Sequence, residues 1–235
     1  MNNKNLEKGR DEGTPASKAQ IKGFVEMYGI NMDDFEPSDI SEYKTFEDFF
    51  TRKHKPGTRP IHAKDDASKA VRVAESKRLW IKGSDFSIAA LVMDTKLGKQ
   101  FADGAVASFR LSPQDYHRYH SPVTGKLKLF RSMPGDYYDV DPVALRSRTE
   151  EFGDVLFVAI GSTQVGSVQF HEKYQKEGTE VTKGDEIGFF QFGGSSIIVA
   201  FEPGRVKFDP DLLKWSKQEV QVSVEVGMSL GSSAK

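Results

Sequence analysis

Cysteine is absent from all 235 residues. That absence removes disulfides, thiolate nucleophiles and Cys-based zinc sites together, and it fits a reducing compartment. A surplus of one charge is missing as well: 33 basic side chains face 34 acidic ones, for a net charge of −1. Nucleic-acid binders normally carry a basic excess, so no nucleic-acid partner is expected. Long hydrophobic runs are lacking too. Stretches such as Val155–Ile160 and Ile197–Phe201 fall far short of the ~20 residues that a membrane-spanning helix takes. Met1–Lys18 is polar and charged, without the apolar stretch of a secretory signal. The expectation is a cytoplasmic or peripheral chain.

What is present is ordinary globular material. With 37% hydrophobic and 29% charged residues, the chain can build a core. Residues 1–17 read as a flexible polar lead and 18–235 as the folded unit. Ile21, Phe24, Val25 and Tyr28 recur at helical spacing, and Gly29 can end that helix. Thr45 suits the N-cap of a second short helix over 45–53, with Asp48 in the capping-box place of Glu. Phe46, Phe49 and Phe50 share one face of it, read as core packing in preference to a membrane-facing or partner-facing patch. Residues 84–93 predict a further short helix. After that, strand patterns prevail. Leu127 and Leu129 alternate with lysines, and Val220, Val222, Val224 and Val226 alternate with polar residues. The two continuous apolar runs predict strands covered on both faces, and residues 184–194, rich in glycine and aromatics, predict closely spaced hairpins. Helices first and strands later predict an α+β fold with a largely antiparallel, barrel- or sandwich-like core.

Three stretches carry residues fit for chemistry. Two are Gly-Ser boxes, Gly161-Ser162-Thr163 and Gly193-Gly194-Ser195-Ser196; the third, Pro113-Gln-Asp-Tyr-His-Arg-Tyr-His120, holds His117 and His120. Taken singly each is weak, because Gly-Ser pairs are common in turns. The serine setting is not a Gly-x-Ser-x-Gly elbow, since residues 193–197 run Gly-Gly-Ser-Ser-Ile. Two histidines with no third ligand nearby and no cysteine argue against a metal site.

Six segments taken together are specific. Phe46-Glu-Asp-Phe-Phe-Thr-Arg52, Lys55-Pro-Gly-Thr-Arg-Pro-Ile61, Trp80-Ile-Lys-Gly83, Phe109 to His120, Gly188-Phe-Phe-Gln-Phe-Gly-Gly-Ser-Ser196 and Phe201-Glu-Pro-Gly204 stand in this order. They resemble the pyruvoyl-dependent phosphatidylserine decarboxylases from about residue 18 to the C-terminus, and most of all the catalytic region of the eukaryotic endomembrane type. The resemblance implies that Ser195 attacks the Gly194 carbonyl. The resulting ester eliminates, and Ser195 becomes a pyruvoyl group at the head of a chain 195–235, beside a chain 1–194. It also implies that Gly161-Ser162-Thr163 is a decoy. His120 matches the family's base for self-cleavage, and His117 matches a proton donor in decarboxylation. The pyruvoyl ketone takes the substrate amine as a Schiff base and serves as the electron sink that pyridoxal phosphate supplies elsewhere, with no metal. Phosphatidylserine is the implied substrate and a peripheral endomembrane surface the implied location, with a homodimer as a further expectation. Two alternatives stand beside this: decarboxylation of a free aromatic amino acid, and an unprocessed inactive homologue.

The third arises from two departures. The family's acidic box lies between the Arg-Pro-Ile turn and the Lys-Gly segment, and here residues 62–78 are too short for it and for the strand that goes with it. Glu75, in Ala74-Glu75-Ser76, is the nearest echo of the triad acid. A second strand-sized piece is missing between Ser147 and Val155. Two such losses predict exposed edges and lowered stability.

Overall fold

The computed structural model describes residues 11–82, 95–132, 140–162, 168–191 and 194–235. The helix expected over 84–93 lies outside them, as do Thr163, Phe192 and Gly193. A 3-10 turn, Pro15–Lys18, runs into helix α1, Ala19–Tyr28. Ser17, which the sequence pattern placed in the polar lead, is buried, and its hydroxyl accepts the Phe46 N–H at 2.8 Å. Gly29 ends α1 in the left-handed conformation, at φ 60°. Strand β1 (Phe35–Glu36) pairs with β2 (Lys53–His54), and helix α2 (Phe46–Phe50) lies between them in sequence. Thr45 caps α2 by accepting the Asp48 N–H at 3.1 Å, while Asp48 reaches back to the Lys44 N–H at 3.0 Å. Phe46, Phe49 and Phe50 are buried with Ile21 and Tyr43, so the aromatic face of α2 is core.

Strands β3 (Lys69–Val71) and β4 (Ser76–Lys82) follow, then helix α3 (Thr95–Gln100). Next come β5 (Ala105–Arg110), β6 (Arg118–His120), β7 (Gly125–Ser132), β8 (Val140–Thr149) and β9 (Gly153–Ser162). Short strands β10 (Val168–Phe170) and β11 (Glu180–Val181) precede β12 (Glu186–Phe190) and β13 (Ser196–Phe201). The chain closes with β14 (Val206–Phe208), helix α4 (Pro210–Lys217), β15 (Val222–Val224) and β16 (Ser229–Ser233). Among the described residues the strands pair antiparallel in an eight-stranded sheet of order β11-β7-β8-β9-β13-β5-β4-β15, two three-stranded sheets (β10-β12-β6 and β14-β16-β3) and the β1-β2 pair.

This is an α+β fold, and the large sheet is open: β11 and β15 are its edges, so the barrel option is not taken. One face packs on the β10-β12-β6 sheet, where Tyr119, Phe170, Ile187 and Phe190 meet Leu79, Phe109, Phe157, Ile197 and Val199 of the large sheet. The other face of β9 and β13 buries Leu156, Val158, Ile198 and Ala200 against Phe101, just beyond α3. The continuous apolar runs are therefore central strands with both faces covered. The hairpins expected over 184–194 are instead a single strand, β12, whose partners come from 118–120 and 168–170. The second shortening is closed by a tight hairpin: β8 and β9 stay in register from Val140–Ser162 to Thr149–Gly153. Thr149 Oγ1 accepts the Phe152 N–H at 2.8 Å in its turn. No helix among the described residues is long and apolar enough to cross a membrane.

Candidate active site

The loop between β5 and β6 gathers the site. Its Leu111 N–H donates to the Ser195 carbonyl at 3.1 Å, which ties the start of β13 to the histidine segment. Arg52, buried at the end of α2, donates to the Gln114 carbonyl at 2.7 Å and the Asp115 carbonyl at 3.2 Å. Its guanidinium lies over the Phe35 and Phe49 rings, at 4.5 and 4.7 Å. The N-terminal aromatic cluster is thus a platform for the loop.

His117 is fully buried. Its ring packs on Phe50 at 3.8 Å between centroids. Nδ1 lies 2.8 Å from the Asp115 carbonyl. A carbonyl only accepts, so Nδ1 carries the proton and Nε2 the lone pair. Nε2 is buried and has no hydrogen-bond partner among the described residues. Burial, aided by the charge of Arg52, pushes the imidazole down to about 3 against the pull of the Asp115 carbonyl.

His120 begins the strand exchange with β12. Its Nδ1 donates to the Gly184 carbonyl at 2.8 Å, and its Nε2 accepts from the Tyr116 hydroxyl at 3.2 Å. Gly184 sits at φ +85°, and a Cβ there would meet Ile61 Cγ1 at 2.6 Å, so glycine is what lets this carbonyl face the ring. Burial lowers the His120 pKa; the Gly184 carbonyl and Glu186 oppose, while the charges of His54 and Arg118 assist. Glu186 is itself held below the ordinary carboxylate range: burial works against this, but Arg118 and His171 outweigh it.

Ser195 is buried, and Gly194 before it is at φ 88°, a conformation open to glycine and resisted by L side chains. The other Gly-Ser box is not remote. Ile160 pairs with Ser196, and β9 ends two residues later at Ser162, so the described parts of the two boxes, Gly161-Ser162 and Gly194-Ser195-Ser196, lie at the same end of the sheet. Gly161 faces Asp141 across the β8-β9 hairpin.

Glu75 is half-buried beside this site and is bonded to His54 and Arg59, not to His120. Its Oε1 accepts from Arg59 Nε at 2.7 Å and faces His54 Nε2 at 3.0 Å. Burial raises its pKa, but the His54 hydrogen bond and the His54 and Arg59 charges bring it below the ordinary value. A cavity of about 260 Å³ is lined by His54, Arg59, Tyr116, His120 and Glu186 among others. Sequence reasoning passed over His54, Arg59 and Glu186. Lys53-His54-Lys55 looks like a charged turn, and no spacing links it to residues 60 or more positions away.

The sequence model of the family described as phosphatidylserine decarboxylase matches residues 46–232. The chain belongs to the phosphatidylserine decarboxylase family. Among its relatives, phosphatidylserine decarboxylase proenzyme 2 of Oryza sativa subsp. japonica is 39% identical, covering 100% of this chain and 42% of its own length. The proenzyme 2 of Komagataella phaffii is 38% identical over 93% of this chain and 24% of its own length. The proenzyme of Ruminiclostridium cellulolyticum is 34% identical over 92% of this chain and 79% of its own length. The chain thus spans less than half the length of the first two relatives and about four-fifths of the bacterial decarboxylase.

The alignment with the rice decarboxylase runs over 264 positions against 235 residues here, a difference of 29. The family pattern leads to the expectation of two shortenings in this chain. At the first of them the connection from β3 to β4 is only Arg72–Glu75, with Val73 and Ala74 fully buried and the Val73 carbonyl accepting the His120 N–H at 2.8 Å. The Val73-Ala74-Glu75 segment is therefore packed directly against the strand of His120.

Proposed function

We propose that this chain is a phosphatidylserine decarboxylase that cuts itself between Gly194 and Ser195 and converts residue 195 into a pyruvoyl group. The observation that carries the reading is the pairing of a buried Ser195 with a left-handed Gly194, tied by a backbone hydrogen bond to the loop that bears His117 and leads into the strand of His120. The group would be residue 195 itself, at the head of β13, so no separate cofactor cradle is needed. It would supply an electron sink for the electrons left when carbon dioxide departs.

The chain's own residues have distinct tasks in this reading. His120 is the base: its Nδ1 proton is committed to Gly184, which leaves the Nε2 lone pair to take the serine proton. Its lowered pKa keeps that lone pair available at neutral pH. His117 is the group that moves a proton during decarboxylation. It enters neutral, with Nε2 free, so it must accept a proton before it donates one. Phosphatidylserine at a membrane surface is the proposed substrate. Chain 195–235 would work in complex with chain 1–194.

The place of Glu75, on His54 and not on His120, favours a second reading in which the chain stays uncut. Intact-mass measurement of the purified protein separates the two. Self-cleavage predicts a fragment of residues 1–194 and a small chain with a blocked N-terminus, while Ser195→Ala gives one species of 26.2 kDa. A wild-type protein found only at full mass refutes the proposal. Carbon dioxide release from phosphatidylserine in mixed micelles, set against free tryptophan, then assigns the substrate class.

A further inference from the structure

We infer that Glu75 serves self-cleavage at one remove, through His54 and Tyr116, which act as positioning residues for the Nε2 lone pair of His120. The inference rests on the reading of Gly194–Ser195 as the cleaved bond. It assigns a role to His54, which the sequence did not single out.

The contacts form an unbroken series. Glu75 and His54 are both partly buried, with 16% and 8% of their side chains exposed, and their Oε1 and Nε2 atoms are 3.0 Å apart. Arg59 Nε binds the same Oε1 at 2.7 Å, and Arg59 Nη2 lies 3.6 Å from Asp34 Oδ2 and 3.8 Å from Glu225 Oε1. His54 Nδ1 is 3.3 Å from the Asp34 carbonyl. Both ring nitrogens thus face acceptors, so the ring is held in plane from two sides. Phe35 stacks on it at 4.6 Å and 17°. The Tyr116 ring lies against it at 4.2 Å and 39°. Tyr116 in turn points its hydroxyl at His120 Nε2, 3.2 Å away. His54, Tyr116 and His120 open into the same cavity.

The physical logic is that of an orienting carboxylate moved back by two groups. A buried carboxylate is costly unless paired and hydrogen-bonded. Arg59 already provides a partner, so the His54 contact is not needed to neutralise Glu75. Its effect is to lock the His54 ring, and the locked ring is the surface on which Tyr116 rests. A phenol held in this way fixes the direction in which Nε2 presents its lone pair until the serine hydroxyl takes the phenol's place. His54 and Arg118 both act to lower the His120 pKa, and Glu186, paired with Arg118, acts to raise it.

The test follows cleavage of the full-length chain by denaturing gel and intact mass after cell-free synthesis, at several pH values. His54→Phe keeps the aromatic stack and removes both ring nitrogens; Glu75→Gln removes the charge. Each is expected to slow cleavage about ten-fold, and the double variant to be no slower than either, because the residues act as one unit. His54→Gln, which keeps a donor toward Glu75, should restore part of the rate. The acid limb of the pH–rate profile should move to higher pH in His54→Phe, since His120 loses a neighbouring charge that holds its pKa down. A purely structural role would leave that limb in place. Wild-type-like cleavage and pH profile in folded His54→Phe, or additive losses in the double variant, overturn the inference while self-cleavage stands. If His54→Phe fails to fold, the rate of His54→Gln against Glu75→Gln decides. Absence of any cleavage in the wild type overturns this inference together with the function it rests on.

Discussion

His117 and His120 are three residues apart and chemically unlike, because their surroundings differ. Both give their Nδ1 proton to a backbone carbonyl, so both present Nε2 as a lone pair. The difference lies in what meets that lone pair: a phenol for His120, no described partner for His117. A buried imidazole kept neutral has a consequence for stability. The folded-state pKa of His117 is pushed down to about 3, whereas the unfolded chain titrates near ~6.5. Below ~6.5 the unfolded state binds a proton that the folded state refuses, so stability falls as pH falls, down to the folded value. Denaturant unfolding between pH 7 and 5, above the carboxylate range, should therefore show a slope of roughly one proton from His117. His120 adds to it in the same direction. His117→Asn should flatten the slope by about one proton's worth. An unchanged slope would contradict the buried neutral state.

At the scale of elements, α2 joins fold and site. Its length of five residues would not hold a helix in isolation; the cap at Thr45 and the burial of three phenylalanines do so. The same burial puts Phe50 under His117 and Arg52 under the histidine loop. Phe49 is fully buried in this cluster, and Phe49→Ala is expected to cost about 3–5 kcal/mol by leaving a cavity. Chemical denaturation of Ser195→Ala with and without the change measures this on an uncut chain. The β8-β9 hairpin shows how a shortened chain keeps its sheet. A three-residue turn, closed by Thr149, joins ten-residue strands whose inward side chains, Leu145, Phe157 and Ala159, are buried.

For the whole molecule, topology decides what a cut at 194/195 would do. The C-terminal piece is threaded through the rest. β13 lies between β5 and β9 in the middle of the large sheet, β15 pairs with β4, and β16 pairs with β3. Cleavage would free one end of β13 and leave these ladders intact. The two products are expected to separate on a denaturing gel and to co-elute as one species on native size exclusion. Elution of the 195–235 fragment by itself would contradict this topology.

Local pattern and ordered motifs carried a good part of this reading. The helix over Ile21–Tyr28, the Thr45 cap, the core face of α2 and the double-sided burial of Val155–Ile160 and Ile197–Phe201 follow from period, capping chemistry and unbroken apolar runs. Those signals act within a few residues, so the sequence contains them whole. The family was legible for a related reason, since its six segments survive as words in order. Pairings across the chain were not legible. Nothing local says that β12 will leave its neighbours to pair with β6 and β10, that the large sheet stays open, or that two Gly-Ser boxes end up at the same end of it. The candidate acid shows the divide best. Glu75 was the only echo of the family carboxylate the sequence offered, and its attachment to His54 rather than His120 is a tertiary fact. The short connection Arg72–Glu75 sets which backbone atoms face His120, and Arg59 and His54, 16 and 21 residues earlier, close on Glu75.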